Sequence, residues 1–147
     1  MKKRLSMQLH LPDAYKHLKE LDAVIKTGLD PIQLEMIRIR ASQLNGCAYC
    51  LNSHITDAIK AGEDHHRLNV LSAWREARGW FTRQEQVILQ LTEQITMIGE
   101  QGISDEVYDQ AVKFFGEKKT AHLIMAAVNI NAWNRIGVGL NFQPLRY

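Results

Sequence analysis

The chain has 147 residues, of which 46% are hydrophobic and 23% charged. That composition suits one folded domain over residues 1–147 and excludes an intrinsically disordered chain. The net charge of +2 is too small to imply a nucleic-acid or anionic-membrane partner, and no apolar run reaches the roughly 18 residues that a membrane span needs.

Met1-Lys2-Lys3-Arg4 has the charge of a secretory leader, but Ser6, Gln8, His10 and Asp13 interrupt any apolar stretch behind it. Two cysteines three apart without an export signal do not make a disulfide framework. A reducing, cytoplasmic location is therefore expected, in which that spacing signals redox or metal chemistry.

Residues 1–12 show no period and are expected to be irregular. Asp13 is placed to cap a helix running to Gly28, with Leu18, Leu21 and Ile25 on one side. Asp30-Pro31 starts a second helix, with aspartate at the N-cap and proline at the first helical position. Its apolar residues Leu34, Ile37, Ala41 and Leu44 recur at helical spacing until Asn45-Gly46 breaks it.

A third helix begins at Cys47 and Cys50 and ends at Gly62, a suitable C-terminal residue. Glu63-Asp64 opens a short one with Leu68, Leu71 and Trp74, before Arg78-Gly79. Thr82-Arg83-Gln84-Glu85 has the form of a capping box. The helix behind it turns Val87, Ile88, Leu91, Ile95 and Ile98 inward until Gly99 and Gly102. Ser104-Asp105-Glu106 leads a helix to Gly116, and a last one runs from near Glu117 to Ile136.

Leu123 to Val128 is apolar all round, which predicts burial on every side, partly by another subunit. No stretch alternates with period two, so no strand is expected. The predicted fold is all-α, with six or seven helices and an oligomeric assembly.

The chemistry concentrates between Glu35 and His54. Cysteines opening a helix place Cys47, Cys50 and His54 at i, i+3 and i+7, on one face. The free N–H groups of a helix start favour thiolate over thiol. Peroxide attack by a thiolate gives a sulfenic acid, which a second thiol condenses to a disulfide. His54 can accept a thiol proton, and Glu35 can orient that imidazole. Cys50 has the closer base, whereas Cys47, at the helix mouth, is placed to resolve or to meet a reductant.

A zinc site is the competing reading, with Cys47, Cys50 and His54 as ligands and Glu35, His65 or His66 as the fourth. A long helical domain needs no metal to fold, so none is expected. His65-His66 otherwise reads as an exposed helix start, Trp74, Trp80 and Trp133 as core or interface anchors, and Arg38 and Arg40 as partners of carboxylates or the lining of an interface.

The frame Glu35-x11-Cys47-x-x-Cys50-x3-His54 resembles the active-site motif of the AhpD-like alkylhydroperoxidases of the carboxymuconolactone decarboxylase superfamily. Ala41-Ser42-Gln43-Leu44-Asn45-Gly46, Ala61-Gly62, Ala73-Trp74-Arg75-Glu76 and Asn131-Ala132-Trp133-Asn134-Arg135 carry the resemblance over roughly residues 15–140. It implies a helical subunit that assembles as trimers or hexamers. It also implies Cys50 as the peroxide-attacking thiol, Cys47 as the resolving thiol, and Glu35 and His54 as proton relay.

The substrate would be a hydroperoxide, and the electron donor a thiol or lipoyl-type reductant, with no bound cofactor. Tyr49 departs from the family pattern, which has histidine before the second cysteine. A phenol with a pKa near 10 shuttles protons poorly at neutral pH, so Tyr49 is at most accessory. The decarboxylase branch lacks the cysteine pair, so both thiols here argue against it. A non-enzymatic thiol sensor is the other alternative.

Overall fold

The computed structural model describes residues 4–77 and 79–144, so the leader-like Met1-Lys2-Lys3 and the Arg78 boundary lie outside the described residues. Within them the chain is all-helical: α1 (Met7–His10), α2 (Pro12–Lys26), α3 (Pro31–Leu44), α4 (Ala48–Lys60), α5 (His65–Val70), α6 (Arg83–Thr96), α7 (Ile98–Gln101) and α8 (Asp105–Gly139). A single 3-10 turn, Leu71–Ala73, follows α5. None of these helices is long and apolar enough to cross a membrane.

Local signals account for most boundaries. The Asp30 carboxylate accepts from the backbone N–H groups of Ile32 and Gln33, and Pro31 stands at the first helical position. Thr82 and Glu85 close both halves of the capping box at α6. Ser104 caps α8 by accepting from Val107 N–H. The α3–α4 connection turns at Gly46, whose φ of 65° lies in the left-handed region that a side chain disfavours. Inside α8, Gly116 leaves helical geometry (φ 72°, ψ 164°), so two helical segments meet there at a kink.

Three expectations are corrected. The stretch before Pro12 is not all irregular, because the Ser6 hydroxyl caps α1. Asp13 is not the cap of α2: Pro12 takes the first helical position and Leu11 becomes the N-cap, leaving Asp13 in the first turn, where its charge suits the dipole. Ile98 does not face inward. The helix breaks at Met97, and this shift in register leaves Ile98 59% exposed.

Leu123 to Val128, expected to be buried partly by another subunit, is covered only in part within one chain. Leu123, Ala126 and Ala127 are buried, whereas Met125 and Val128 face outward.

The helix buried on nearly every side is α3, where Leu34 through Ile39 are all buried. It packs against α4, α6 and α8 and divides the core in two. Leu34, Ile37 and Ala41 join α6 and α8 on one side, together with both cysteines. Met36 and Ile39 join Ala58, Leu71, Trp74 and Phe81 on the other. As the central helix, α3 can hold charged groups only if partners meet them.

Three asparagines fix the turn that precedes the cysteines. Asn45 Nδ2 donates to the Oδ1 atoms of Asn131 and Asn134 on α8, each at 2.9 Å, and to Ala41 O. Asn134, fully buried, donates to Ser42 Oγ at 3.0 Å. Asn131 donates to Thr96 Oγ1 at 3.0 Å and so ties in α6. Replacing Asn134 by leucine removes one of the three acceptors of Asn45 and the donor to Ser42 in a dry interior. We expect Asn134→Leu to lower the unfolding free energy by about 1–3 kcal/mol, measured by denaturant titration.

Candidate thiol site

Cys47 is the N-cap of α4, and its Sγ accepts from the Cys50 backbone N–H at 3.3 Å. A sulfur so placed is favoured as thiolate by the helix start. Cys47 and Cys50 are joined as a disulfide, with Cα atoms 5.4 Å apart. Both are buried, at 2% and 5% exposure. Gly137 of α8 lies directly against them: a Cβ there would sit 3.0 Å from Cys47 Sγ and 3.4 Å from Cys50 Sγ.

The two sulfurs are not equivalent. Cys50 lines a cavity of about 270 Å³, together with His54, Arg38, Asp22, Trp133 and Tyr49; Cys47 is not in its wall. Cys47 does stand at the mouth of α4, but at 2% exposure its sulfur does not reach this cavity. Its N-cap position turns the sulfur back onto the α4 backbone, and α8 covers it.

Glu35 and His54 come together across the α3–α4 hairpin. Glu35 Oε2 lies 2.9 Å from His54 Nδ1. Its other oxygen, Oε1, accepts from Arg38 Nη1, and Arg38 Nη2 donates to Asp22 Oδ1 on α2. Lys26 Nζ reaches the second Asp22 oxygen at 3.0 Å. Burial pushes the Glu35 carboxyl up, but the hydrogen bond with His54 and the Arg38 charge outweigh it, leaving the pKa below the ordinary value. At Asp22 the same balance holds: burial raises the pKa, Arg38 and Lys26 lower it further, and the net shift is downward. With its Nδ1 proton donated to an ionised Glu35, the His54 ring has Nε2 left for other partners.

Aromatic rings frame the cavity. Tyr15 and Trp133 meet edge to face at 5.0 Å, and Tyr49 and Phe142 likewise at 5.5 Å. Tyr49 is thus part of the entrance, at 37% exposure. A wider groove of about 720 Å³ lies on the far side, sharing Tyr15, Tyr49 and Phe142 with the inner cavity. Trp133, read from sequence as an anchor, is both anchor and cavity wall.

Sequence reasoning missed Asp22, whose only signal was its i,i+4 spacing from Lys26, and Tyr15 and Phe142, which carried none. The alternative zinc partners His65 and His66 are exposed on α5 and face each other at 4.3 Å. Among the described residues, the group with metal-ligand geometry is Glu35, His54 and Asp57, with ligand atoms within 4.8 Å; it includes neither cysteine. Of the remaining sequence readings, Arg40 pairs with Glu93 at 2.7 Å and Trp74 donates to the same carboxylate, whereas Trp80 is 46% exposed.

Two predictions follow from this geometry. Alanine for glycine inside a helix ordinarily stabilises by about 1 kcal/mol, but at Gly137 the new methyl presses on a sulfur held by the disulfide. Gly137→Ala should therefore destabilise the oxidised protein while sparing or stabilising the reduced one, so melting with and without dithiothreitol should show a narrowed gap between the two forms. For Glu35, a lowered folded pKa means stability that is complete above the unfolded value of about 4.3 and lost as pH falls through the folded value. Glu35→Gln should remove that part of the acid dependence, read as a shallower fall of melting temperature below about pH 4.3.

Comparison with known proteins places this arrangement. Residues 11–93 match the carboxymuconolactone decarboxylase family. The uncharacterised protein YdfG of Bacillus subtilis is 33% identical over 141 residues, covering 95% of each chain. The crystal structure of ATU0492 from Agrobacterium tumefaciens superimposes with a TM-score of 0.93 at 30% identity, over 99% of this chain and 100% of that one. It is described as a protein of unknown function and a candidate antioxidant defence protein AhpD. A peroxidase-related protein from Silicibacter shares the fold, with a TM-score of 0.77 at 18% identity over 88% of this chain and 69% of that one. The chain belongs to the carboxymuconolactone decarboxylase family and is AhpD-like within it.

Proposed function

We propose that the protein reduces hydroperoxides by a Cys47–Cys50 dithiol–disulfide cycle. The observation that carries this reading is Cys50 facing a cavity whose wall also holds His54, itself hydrogen-bonded to a buried Glu35. In the reduced protein, His54 Nε2 takes the Cys50 proton. The thiolate attacks the hydroperoxide oxygen, the O–O bond breaks, and the alkoxide leaves with a proton from His54 as alcohol. Cys50 is then a sulfenic acid. The Cys47 thiol attacks that sulfur, water leaves, and the disulfide forms.

An external dithiol supplies the two electrons and two protons that close the cycle. Cys50 faces the cavity and Cys47 does not, so the reductant attacks Cys50 and Cys47 departs as the thiolate favoured at the N-cap. The aromatic rim suits a hydroperoxide with an apolar substituent. No metal takes part in this scheme.

Assays with an organic hydroperoxide and dithiothreitol, thioredoxin or a lipoyl protein test the reading. Cys50→Ser should abolish peroxide consumption, and Cys47→Ser should trap about one sulfenic acid per chain at Cys50, detected by dimedone labelling. Equal labelling of both variants would overturn the assignment. Decarboxylation of a lactone substrate that survives Cys50→Ser would favour decarboxylase chemistry, and reversible oxidation without turnover a sensor.

We also infer an oligomer, trimeric or hexameric. Its motivation is the apolar face that Met125 and Val128 present on α8, at 38% and 44% exposure. Light scattering should give a multiple of 16.9 kDa at micromolar concentration. Val128→Glu should dissociate the assembly, and an active wild-type monomer would refute it.

A further inference from the structure

Arg38 is the residue of the thiol site that the peroxidase scheme leaves without a role. Its guanidinium is buried, at 7% exposure, between two carboxylates on different helices. One of them, Glu35, divides its oxygens between Arg38 and His54. The other, Asp22, divides its own between Arg38 and Lys26, and Oδ1 also receives Asn129 Nδ2 at 3.4 Å. A chain of alternating basic and acidic side chains therefore runs His54–Glu35–Arg38–Asp22–Lys26, from the cavity that Cys50 lines to the surface of α2.

We propose that Arg38 is a positioning residue that acts through Glu35, drawing off part of its negative charge so that the Cys50–His54–Glu35 cluster releases its proton near neutral pH. The proposal rests on the peroxidase reading for its purpose, but not for its test. A buried carboxylate facing only an imidazole would hold a proton on that ring strongly, because opposite charges in a dry site are poorly screened. Such a ring could not take the thiol proton. Arg38 gives Glu35 a second partner, and Asp22 in turn keeps Arg38 from neutralising Glu35 completely. The charged and titratable groups facing this chain are Tyr15, Asp22 and Lys26 from α2, Glu35 from α3, and Tyr49, Cys50, His54 and Asp57 from α4; α8 contributes the neutral amide of Asn129.

A merely structural role, in which Arg38 only compensates buried carboxylates, predicts lost stability and nothing else. The experiment is the pH dependence of Cys50 alkylation by iodoacetamide in the reduced full-length protein, with peroxide oxidation followed in parallel. The acid limb of both profiles reports the first proton lost from the coupled cluster. Arg38→Met removes a cation and should move that limb up by about one pH unit, and Arg38→Lys should restore most of the shift. Asp22→Asn removes an anion and should move it down. Arg40→Met, on the same helix but paired with Glu93, should leave it in place.

An Arg38→Met protein that melts earlier but keeps the wild-type limb would overturn the proposal. If that variant does not fold, Asp22→Asn decides alone, and an unmoved or upward limb overturns it. Shifted alkylation limbs in a protein that consumes no peroxide would sink the peroxidase reading and leave the role of Arg38 standing.

Discussion

The structure depends on burying charge inside its central helix. Glu35 and Arg38 lie on α3, which has core on both sides, and an unpaired charge there would cost several kcal/mol. Each must therefore be met by a partner from another element. His54 comes from α4 and Asp22 from α2, so satisfying two charges also sets the positions of two neighbouring helices. The same contacts bring a base to within one helical turn of Cys50. In the proposed cycle, stability and proton chemistry are served by one set of hydrogen bonds.

A second constraint holds the sulfurs. The turn between α3 and α4 is short and passes through a left-handed glycine, so its direction needs external support. Asn45, Asn131 and Asn134 supply that support by bonding turn to α8 rather than to solvent. With the turn fixed, α8 can approach the disulfide so closely that even a methyl at position 137 would press on the sulfurs. This is why one sulfur faces a cavity and the other faces a helix.

How far the sequence revealed this depends on how local the physics is. Asp30-Pro31, Asn45-Gly46 and Thr82 to Glu85 act through neighbours in the chain, and the boundaries they imply are the ones observed. Glu35 and His54 could be paired because a hairpin of two helices folds their known spacing onto itself. The start of α2 was misjudged because Pro12 outcompetes Asp13 for the helix entry, and Ile98 because the break at Met97 leaves no mark in the periodicity. Asp22, Tyr15, Phe142 and the covering of Cys47 by Gly137 depend on how distant helices dock, and no pattern within one segment encodes that. The apolar run at Leu123 to Val128 is covered only in part by the single chain, and α3 is the helix with core on both sides.

The measurement that tests the account most directly is a redox stoichiometry. Fully reduced protein, kept free of oxygen and without any other thiol, is mixed with one equivalent of an organic hydroperoxide, and both the thiols and the alcohol product are counted. The account predicts one alcohol formed and one Cys47–Cys50 disulfide per peroxide consumed, mapped by mass spectrometry. Two free thiols remaining beside unconsumed peroxide would contradict it.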